Sequence, residues 1–202
     1  MAIWLKRHFR IALMLLMGFA VLPSYLRAFK LTGASAAPTI NIGDRFLVNE
    51  AAYDLRLPYS HLRLLRTGTP KRGDIVQLMV PEIRFPIIKR VVGLPGETVE
   101  FRENRVLING RVLPLSVLKR GEFNWIGPVN HTGSDVYNED GHWVSFTPEQ
   151  GPSRNHAPVN IGAHEFYLVG DNRDQSLDSR VWGPVAEDRI LGKVILTYVR
   201  SK

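Results

Sequence analysis

The chain has 202 residues, of which 45% are hydrophobic and 22% charged; it has no cysteine and a formal net charge of +7. This length suits one well-buried domain with a small insertion, and the ordinary composition excludes a largely disordered protein. The lack of cysteine excludes thiol catalysis, disulfide bonds and thiolate metal sites, but it indicates no particular compartment. The positive charge predicts contact with an acidic partner, either nucleic acid or anionic lipid.

Residues 11–26 form the only long apolar run of the chain and contain no charged residue. A helix of this length covers about 24 Å, less than the ~30 Å hydrocarbon core, but Phe9 and the stems of Arg10 and Arg27 can extend it. The basic residues before the run favour a cytoplasmic amino terminus. The pattern predicts one transmembrane anchor within residues 1–30, with a kink or end at Pro23.

Two other interpretations of this segment stay open. A cleavable signal peptide also has a basic start and a short apolar core, and Ala34-Ser35-Ala36 would be its cleavage site. Arg27 and Lys30 intervene, however, and the small residues lie well past the apolar core. A buried helix of a soluble domain is disfavoured by the basic flanks and the missing polar face. We therefore expect an anchor.

From residue 40 onward, short apolar runs bounded by Gly and Pro predict a mainly β chain. The predicted strands are residues 45–48, 74–80, 86–92, 98–101, 105–108, 111–113, 142–146, 165–169 and 193–199. Residues 102–104 are expected to form a hairpin loop, and Asn109-Gly110 a type I′ turn, because both residues tolerate positive φ. Only residues 59–65 have a weak helical period. The sequence predicts an all-β domain, with an insertion or extended hairpin over residues 115–162.

The motifs of several common kinds of site are missing. The six histidines have no metal-ligand spacing and no H-E-x-x-H occurs, so we expect neither a metal nor another cofactor. There is no G-x-S-x-G elbow, although a Ser-His-Asp triad stays open because its members can lie far apart in sequence. The basic residues are dispersed and lack interleaved aromatic residues, which argues against a nucleic-acid partner.

A dense polar cluster, residues 170–180, directly follows a predicted apolar strand. Such a loop is usually an exposed segment with surface salt bridges. Here, acids alternate with Arg and Ser between a buried strand and Trp182-Gly183. This arrangement predicts an ordered, buried network of the kind that positions active-site groups.

Four segments resemble, in chain order, the characteristic boxes of type I bacterial signal peptidases. They are Ser35-x-x-Pro38-Thr39-Ile40, Arg72-Gly73-Asp74-Ile75-Val76, Lys89-Arg90-Val91-Val92-Gly93-Leu94-Pro95-Gly96 and Gly170-Asp171-Asn172-Arg173-Asp174-x-Ser176-x-Asp178-Ser179-Arg180-x-Trp182-Gly183. Residues 53–73 also resemble the Gram-negative branch. The resemblance covers most of the chain from the anchor to Gly183 and is loose only in residues 115–162.

The resemblance implies an antiparallel β catalytic domain over residues 31–202, outside the bacterial inner membrane and held there by the anchor. Its implied partners are membrane lipid and the signal peptides of exported preproteins. Ser35 would attack the scissile carbonyl, and Lys89 would be the general base. Ser176 would hydrogen-bond and orient the lysine amine, while Asp178 and Arg180 would form an ion pair that shapes the loop beneath this dyad.

A lysine base must be neutral, and the neighbours of Lys89 suit that requirement. Free lysine has a pKa near 10.4, so less than about a thousandth of it is neutral at pH 7. Lys89 lies between two apolar pairs, residues 87–88 and 91–92, and apolar burial penalises the ammonium form. A shift of ~3 pKa units would cost the fold about 4 kcal/mol. Without the other boxes, a lysine snorkelling from a strand edge would be the simpler interpretation.

Two positions depart from the family pattern. The oxyanion hole would use the Ser35 backbone N–H, but many Gram-negative relatives add a serine hydroxyl where this chain has Gly33. The second donor would then be the Gly33 backbone or water. Ala36 replaces the methionine that usually follows the nucleophile and helps to line the substrate pocket, for which Pro38 and Ile87 are further candidates. Gln175, in place of the usual Asn, is a milder change.

Taken together, the residues predict a membrane-anchored Ser-Lys endopeptidase that cuts signal peptides after small residues. A specialised relative, such as a pilin-processing peptidase of conjugative transfer, is an alternative consistent with Gly33 and Ala36. A membrane-tethered β module that only binds peptides is a second alternative. A pure binder, however, has no need of a buried, unpaired lysine at position 89.

Overall fold

The computed structural model describes residues 8–9, 25–57, 62–81, 83–103, 105–117, 135–147 and 155–199, and these are mainly β. The strands are β1 (Leu26–Lys30), β2 (Arg45–Asn49), β3 (Asp54–Arg56), β4 (Arg63–Arg66), β5 (Ile75–Val80), β6 (Ile83–Gly93), β7 (Thr98–Arg102), β8 (Arg105–Ile108), β9 (Arg111–Val112), β10 (Leu115–Val117), β11 (Asp135–Glu139), β12 (His142–Phe146), β13 (His156–Asn160), β14 (Glu165–Val169), β15 (Val185–Ala186) and β16 (Ile190–Val199). One helical turn, α1 (Ser179–Trp182), and two 3-10 turns, Arg173–Gln175 and Glu187–Arg189, accompany them.

A seven-stranded antiparallel sheet forms the main body, in the order β1-β2-β16-β5-β6-β14-β15. Strand β6 lies between β5 and β14, and its last six residues are all buried. This run of β-branched and apolar residues around Lys89 suits a strand that is covered on both faces. The sheet thereby places one lysine in the protein interior.

Three apolar clusters pack around this sheet. The first joins β5, β6, β14 and β16 and contains Val76, Leu78 and Leu168, all of which are fully buried. The second lies between the main sheet and a four-stranded sheet of order β13-β7-β8-β9. The third packs Ala36 and Ile40 against β2 and β6, so the segment that carries Ser35 is fixed by the core.

The four-stranded sheet confirms two turn predictions. Strands β7 and β8 pair as a hairpin across residues 102–105, and Glu103 in the turn has a φ of 48°. Between β8 and β9, Asn109 and Gly110 have φ values of 51° and 77°. Both values lie in the left-handed region that a type I′ turn requires, and Asn and Gly enter that region at the least cost.

The region predicted as an insertion forms its own three-stranded sheet, β10-β11-β12, and also supplies β13 to the four-stranded sheet. The β11–β12 hairpin is therefore not an extension of the main sheet. It reaches the 170–180 segment through a bridge between Ser145 and Asn172. Residues 118–134 and 148–154 lie outside the described residues.

Three further expectations have different outcomes. Most of the predicted anchor, residues 10–24, lies outside the described residues. Within the described part of the chain, no helix is both long and apolar enough to cross a membrane. Residues 26–30 form strand β1 and pair with β2, so the main sheet begins before residue 31. Of residues 59–65, for which the sequence weakly predicts a helix, the structure describes only residues 62–65; the expectation is wrong for these, because β4 pairs with β3 there.

Candidate active site

Ser35 and Lys89 come into contact across 54 residues of sequence. Ser35 begins a turn over residues 35–39, and Lys89 lies in the buried half of β6. The Lys89 Nζ atom donates a hydrogen bond of 2.7 Å to Ser35 Oγ. Only 4% of Lys89 is exposed, whereas Ser35 is partly accessible. Ser35, which is partly exposed to solvent, therefore contacts the almost fully buried amine of Lys89.

Burial is the main influence on the Lys89 amine and lowers its pKa to about 8. The Asp178 carboxylate, and more weakly the Asp171 carboxylate, oppose this shift, while the charge of Arg180 adds to it. At a pKa of about 8, roughly a tenth of the amine is neutral at pH 7, against less than a thousandth for an ordinary lysine. The amine can therefore accept a proton near neutral pH.

The turn that carries Ser35 is held by both core packing and hydrogen bonds. Ala36 and Ile40 are buried in the third apolar cluster. The Asn172 backbone N–H donates to the Ser35 carbonyl at 3.1 Å, and the Asn172 side-chain amide donates to the Ala34 carbonyl at 3.3 Å. The nucleophile candidate is consequently attached on one side to the core and on the other to the 170–180 segment.

A buried ion pair, Arg90–Asp171, lies directly beside Ser35 and Lys89. Arg90 Nε and Nη2 donate to the two Asp171 oxygens at 2.7 and 2.6 Å. Thr39 Oγ1 donates to the same carboxylate and accepts from Arg90 Nη2 at 3.2 Å. Because Arg90 follows Lys89 directly and Thr39 belongs to the Ser35 turn, this network fixes Ser35 and Lys89 relative to each other.

Asp178 and Arg180 form the expected ion pair. Arg180 Nε and Nη2 donate to the Asp178 carboxylate at 2.9 and 2.8 Å, and both side chains are almost fully buried. The carboxylate also accepts the Gly170 backbone N–H at 3.0 Å. Burial alone would raise the pKa of Asp178, but the hydrogen bonds and charge of Arg180 hold it below its usual range. The pair therefore stays ionised beneath Gly170.

A third buried pair, Arg173–Glu139, was not predicted. Arg173 donates to both Glu139 oxygens, one of them at 2.9 Å, and each side chain is only 1% exposed. Burial opposes ionisation of Glu139, but the Arg173 charge outweighs it and lowers the pKa to about 2. Glu139 belongs to β11 of the insertion, so this pair ties the insertion to the 170–180 segment.

Gly170 separates Ser35 from Ser176. A Cβ atom on Gly170 would lie 2.2 Å from Ser176 Oγ and 2.6 Å from the Ser35 carbonyl oxygen. Ser176 thus lies close to the dyad, but among the described contacts the Lys89 amine donates to Ser35, and the expected hydrogen bond from Ser176 to the amine is not formed. The buried Ser176 hydroxyl has no hydrogen-bond partner among the described residues.

A narrow cleft opens next to Ser35. Its lining consists of Ser35, Ala36, Ile75, Ile88, Lys89, Arg90, Gly170 and Asp171. Ile88, and not the expected Ile87, therefore lies at the cleft; Ile87 packs against the first apolar cluster, because adjacent strand residues face opposite sides. Pro38 is buried in the turn and is not part of the lining, whereas Gly33 is exposed.

Sequence reasoning missed Arg90, Asp171, Thr39 and Glu139. The first three belong to the family-like segments quoted above. The opposite charges of Arg90 and Asp171, which lie in two separate segments, were the sequence signal that could have predicted their ion pair. Glu139 lies in the segment without any box, so nothing in the sequence linked it to Arg173.

Over residues 2–199 the chain matches the protein family described as signal peptidase, peptidase S26. Signal peptidase I of Pseudomonas aeruginosa is 33% identical over 196 residues, which cover 89% of this chain and 67% of that protein. Signal peptidase I V of Bacillus subtilis is 31% identical over 166 residues, 82% of either chain. A crystal structure of a signal peptidase I from Enterococcus faecalis has 30% identity, covers 63% of this chain and 98% of that one, and gives a TM-score of 0.40.

We predict that Gly170→Ala destabilises the protein by about 1–3 kcal/mol, because the added Cβ must displace Ser176 and the Ser35 backbone. Chemical denaturation of the purified protein measures this change. Gly33→Ala is the matched control, since a Cβ there meets no atom within 4 Å, and its effect should stay within about 0.5 kcal/mol. Equal stabilities of the two variants would contradict the close packing at Gly170.

Proposed function

The chain belongs to the signal peptidase family, peptidase S26, and from this membership we propose that it is a membrane-bound endopeptidase that removes signal peptides from exported preproteins. The cut follows small residues of the signal peptide. Ser35 is the nucleophile and Lys89 is the general base. The observation that carries this assignment is the 2.7 Å contact between Lys89 Nζ and Ser35 Oγ, made by an amine whose pKa burial lowers to about 8.

The chemistry follows from this pair. A neutral Lys89 accepts the hydroxyl proton as Ser35 Oγ attacks the scissile carbonyl, and the resulting ammonium then donates that proton to the leaving amine. Water subsequently hydrolyses the acyl-enzyme, with Lys89 again as the base. The Ser35 backbone N–H stabilises the oxyanion of each tetrahedral intermediate. The buried Asp178–Arg180 pair supports the Gly170 backbone beside the dyad.

The proposed location is the bacterial inner membrane, with a cytoplasmic amino terminus and an extracytoplasmic catalytic domain. The uncharged run at residues 11–26 and the basic residues before it support this topology. Strand β1 starts at Leu26, the last residue of the run. A short connection of this kind would keep Ser35 near the bilayer, where the apolar helix of a signal peptide also resides.

A specialised substrate set is the second candidate, and Ala36 is the residue that favours it. Ala36 is 5% exposed and lines the cleft beside Ser35, where the family usually has methionine. A shorter side chain reshapes the pocket for the residue before the cut. Mapping the cleavage sites across exported proteins distinguishes a general peptidase from a dedicated one.

The first prediction from this proposal concerns the dyad. Ser35→Ala and Lys89→Ala should each lower the cleavage rate of a model preprotein by about 10³-fold or more, because both residues act as one unit. Ser116→Ala and Lys71→Ala are matched controls at exposed positions and should cleave at the wild-type rate. Wild-type cleavage by either dyad variant, or an activity limb near pH 6.5 that one His substitution abolishes, would contradict the assignment.

The second prediction concerns the oxyanion hole. A side chain at Gly33 meets open space, and the backbone there is not in the left-handed region, so Gly33→Ser can supply the hydroxyl that many relatives have. We expect kcat to rise about tenfold with little change in KM. Gly33→Ala, which adds the Cβ without the hydroxyl, should remain near wild type. Equal kcat values for the two variants would show that the hydroxyl does not reach the oxyanion.

A further inference from the structure

Strand β5 carries one polar side chain, Gln77, and that side chain is buried. Only 2% of the residue is exposed, and it lies within residues 76–78, all of which are buried. Its Oε1 atom is almost inaccessible to solvent and has no hydrogen-bond partner among the described residues. A buried acceptor without a donor destabilises a fold, so a glutamine kept in this state calls for an explanation.

The neighbours of Gln77 in the sheet provide no side-chain donor. In the register of the sheet, Gln77 lies opposite Ile88 of β6 on one side and opposite Gly192 of β16 on the other. Ile88 has an apolar side chain, and Gly192 has none. An apolar residue of similar length would fill the position of Gln77 and leave no polar atom unpaired. Packing of the sheet therefore does not explain why this residue is a glutamine.

The narrow cleft beside Ser35 lies on the face of the sheet to which Gln77 points. Ile75 and Ile88 both line this cleft. Gln77 follows Ile75 by two residues on β5, and strand side chains at that spacing point to the same face. As the cross-strand partner of Ile88, Gln77 also has its Cβ atom about 5 Å from that of Ile88. Gln77 thus extends the wall that the two isoleucines form.

We propose that Gln77 is a specificity residue whose Oε1 atom accepts a hydrogen bond from the hydroxyl of a Ser or Thr side chain of the signal peptide. The inference rests on the proposed peptidase function. Ala36, Ile75 and Ile88 suit a small side chain, but an apolar pocket barely distinguishes Ser from Ala or Thr from Val. A hydroxyl that enters the cleft satisfies the buried oxygen, whereas a methyl group leaves it unpaired.

Substrates that differ only by a hydroxyl test this proposal. An extended peptide directs the residue before the cut and the residue two positions earlier to the same side. Model preproteins therefore carry Ala or Ser at the first of these positions, or Val or Thr at the second. With the wild-type full chain, kcat/KM should be about tenfold higher for the hydroxyl substrate at one of the two positions.

The Gln77→Met variant removes the acceptor at similar side-chain length, and the ratio of kcat/KM values should then fall to about one. The peptide residue between the two tested positions faces away from the cleft and is the internal control. Val and Thr at that position should be cleaved equally by both proteins. A wild-type ratio near one at both tested positions, or a ratio that persists in Gln77→Met, would overturn the proposal.

Chemical denaturation tests whether the oxygen is unpaired in the free protein. Gln77→Met should raise the midpoint of unfolding, because it removes the unpaired acceptor and keeps the space filled. A lower midpoint would show that the glutamine stabilises the free protein, which would contradict the proposal.

Binding measurements separate this proposal from the proposed activity. Fluorescence anisotropy gives the Kd of labelled short peptides for the full-length Ser35→Ala variant without any cleavage. The hydroxyl peptide should bind about tenfold more tightly than its apolar partner, and the two should bind Ser35→Ala/Gln77→Met equally. Equal affinities for Ser35→Ala would overturn the proposal. This preference in a wild-type protein that cleaves no preprotein would support the role of Gln77 and contradict the peptidase function.

Discussion

The burial of one amine, Lys89 Nζ, is the constraint on which the rest of the site depends. A pKa near 8 in place of 10.5 corresponds to about 3 kcal/mol of destabilisation of the charged form. The fold offsets this cost with a seven-stranded sheet in which β6 lies between β5 and β14 and is buried over its last six residues. In this buried position the amine hydrogen-bonds to Ser35 Oγ. Because burial lowers its pKa, part of the amine is neutral near pH 7 and can accept a proton.

Three buried Arg–carboxylate pairs hold the surroundings of this contact. Arg90–Asp171 joins β6 to the segment after β14, Asp178–Arg180 supports the Gly170 backbone, and Arg173–Glu139 attaches the insertion. Such pairs add little net stability, but removal of one partner costs about 3–5 kcal/mol, since a charge is then left buried alone. Their value here is geometric, because they fix the positions of Ser35 and Lys89 from several directions.

Local patterns in the sequence predicted much of the fold, and resemblance predicted the contact between Ser35 and Lys89 and the Asp178–Arg180 ion pair. The Asn109-Gly110 turn, most core strands and the Asp178–Arg180 pair depend on residues close in sequence. The Arg90–Asp171 contact spans 81 residues, and only the strand order of the sheet brings its partners together. Ile87 was chosen instead of Ile88 because a one-residue difference in a strand decides which face a side chain occupies. Strand β1 was missed because its first residue, Leu26, is also the last residue of the apolar run.

The most direct test of this account is an NMR titration of the Lys89 amine in the full-length protein with labelled lysine, assigned by comparison with Lys89→Met. The account predicts a midpoint near pH 8, because burial disfavours the ammonium and the amine becomes neutral as the pH rises through that value. The other lysines should titrate near their ordinary value of about 10.4. A Lys89 midpoint at that ordinary value would contradict its assignment as the general base.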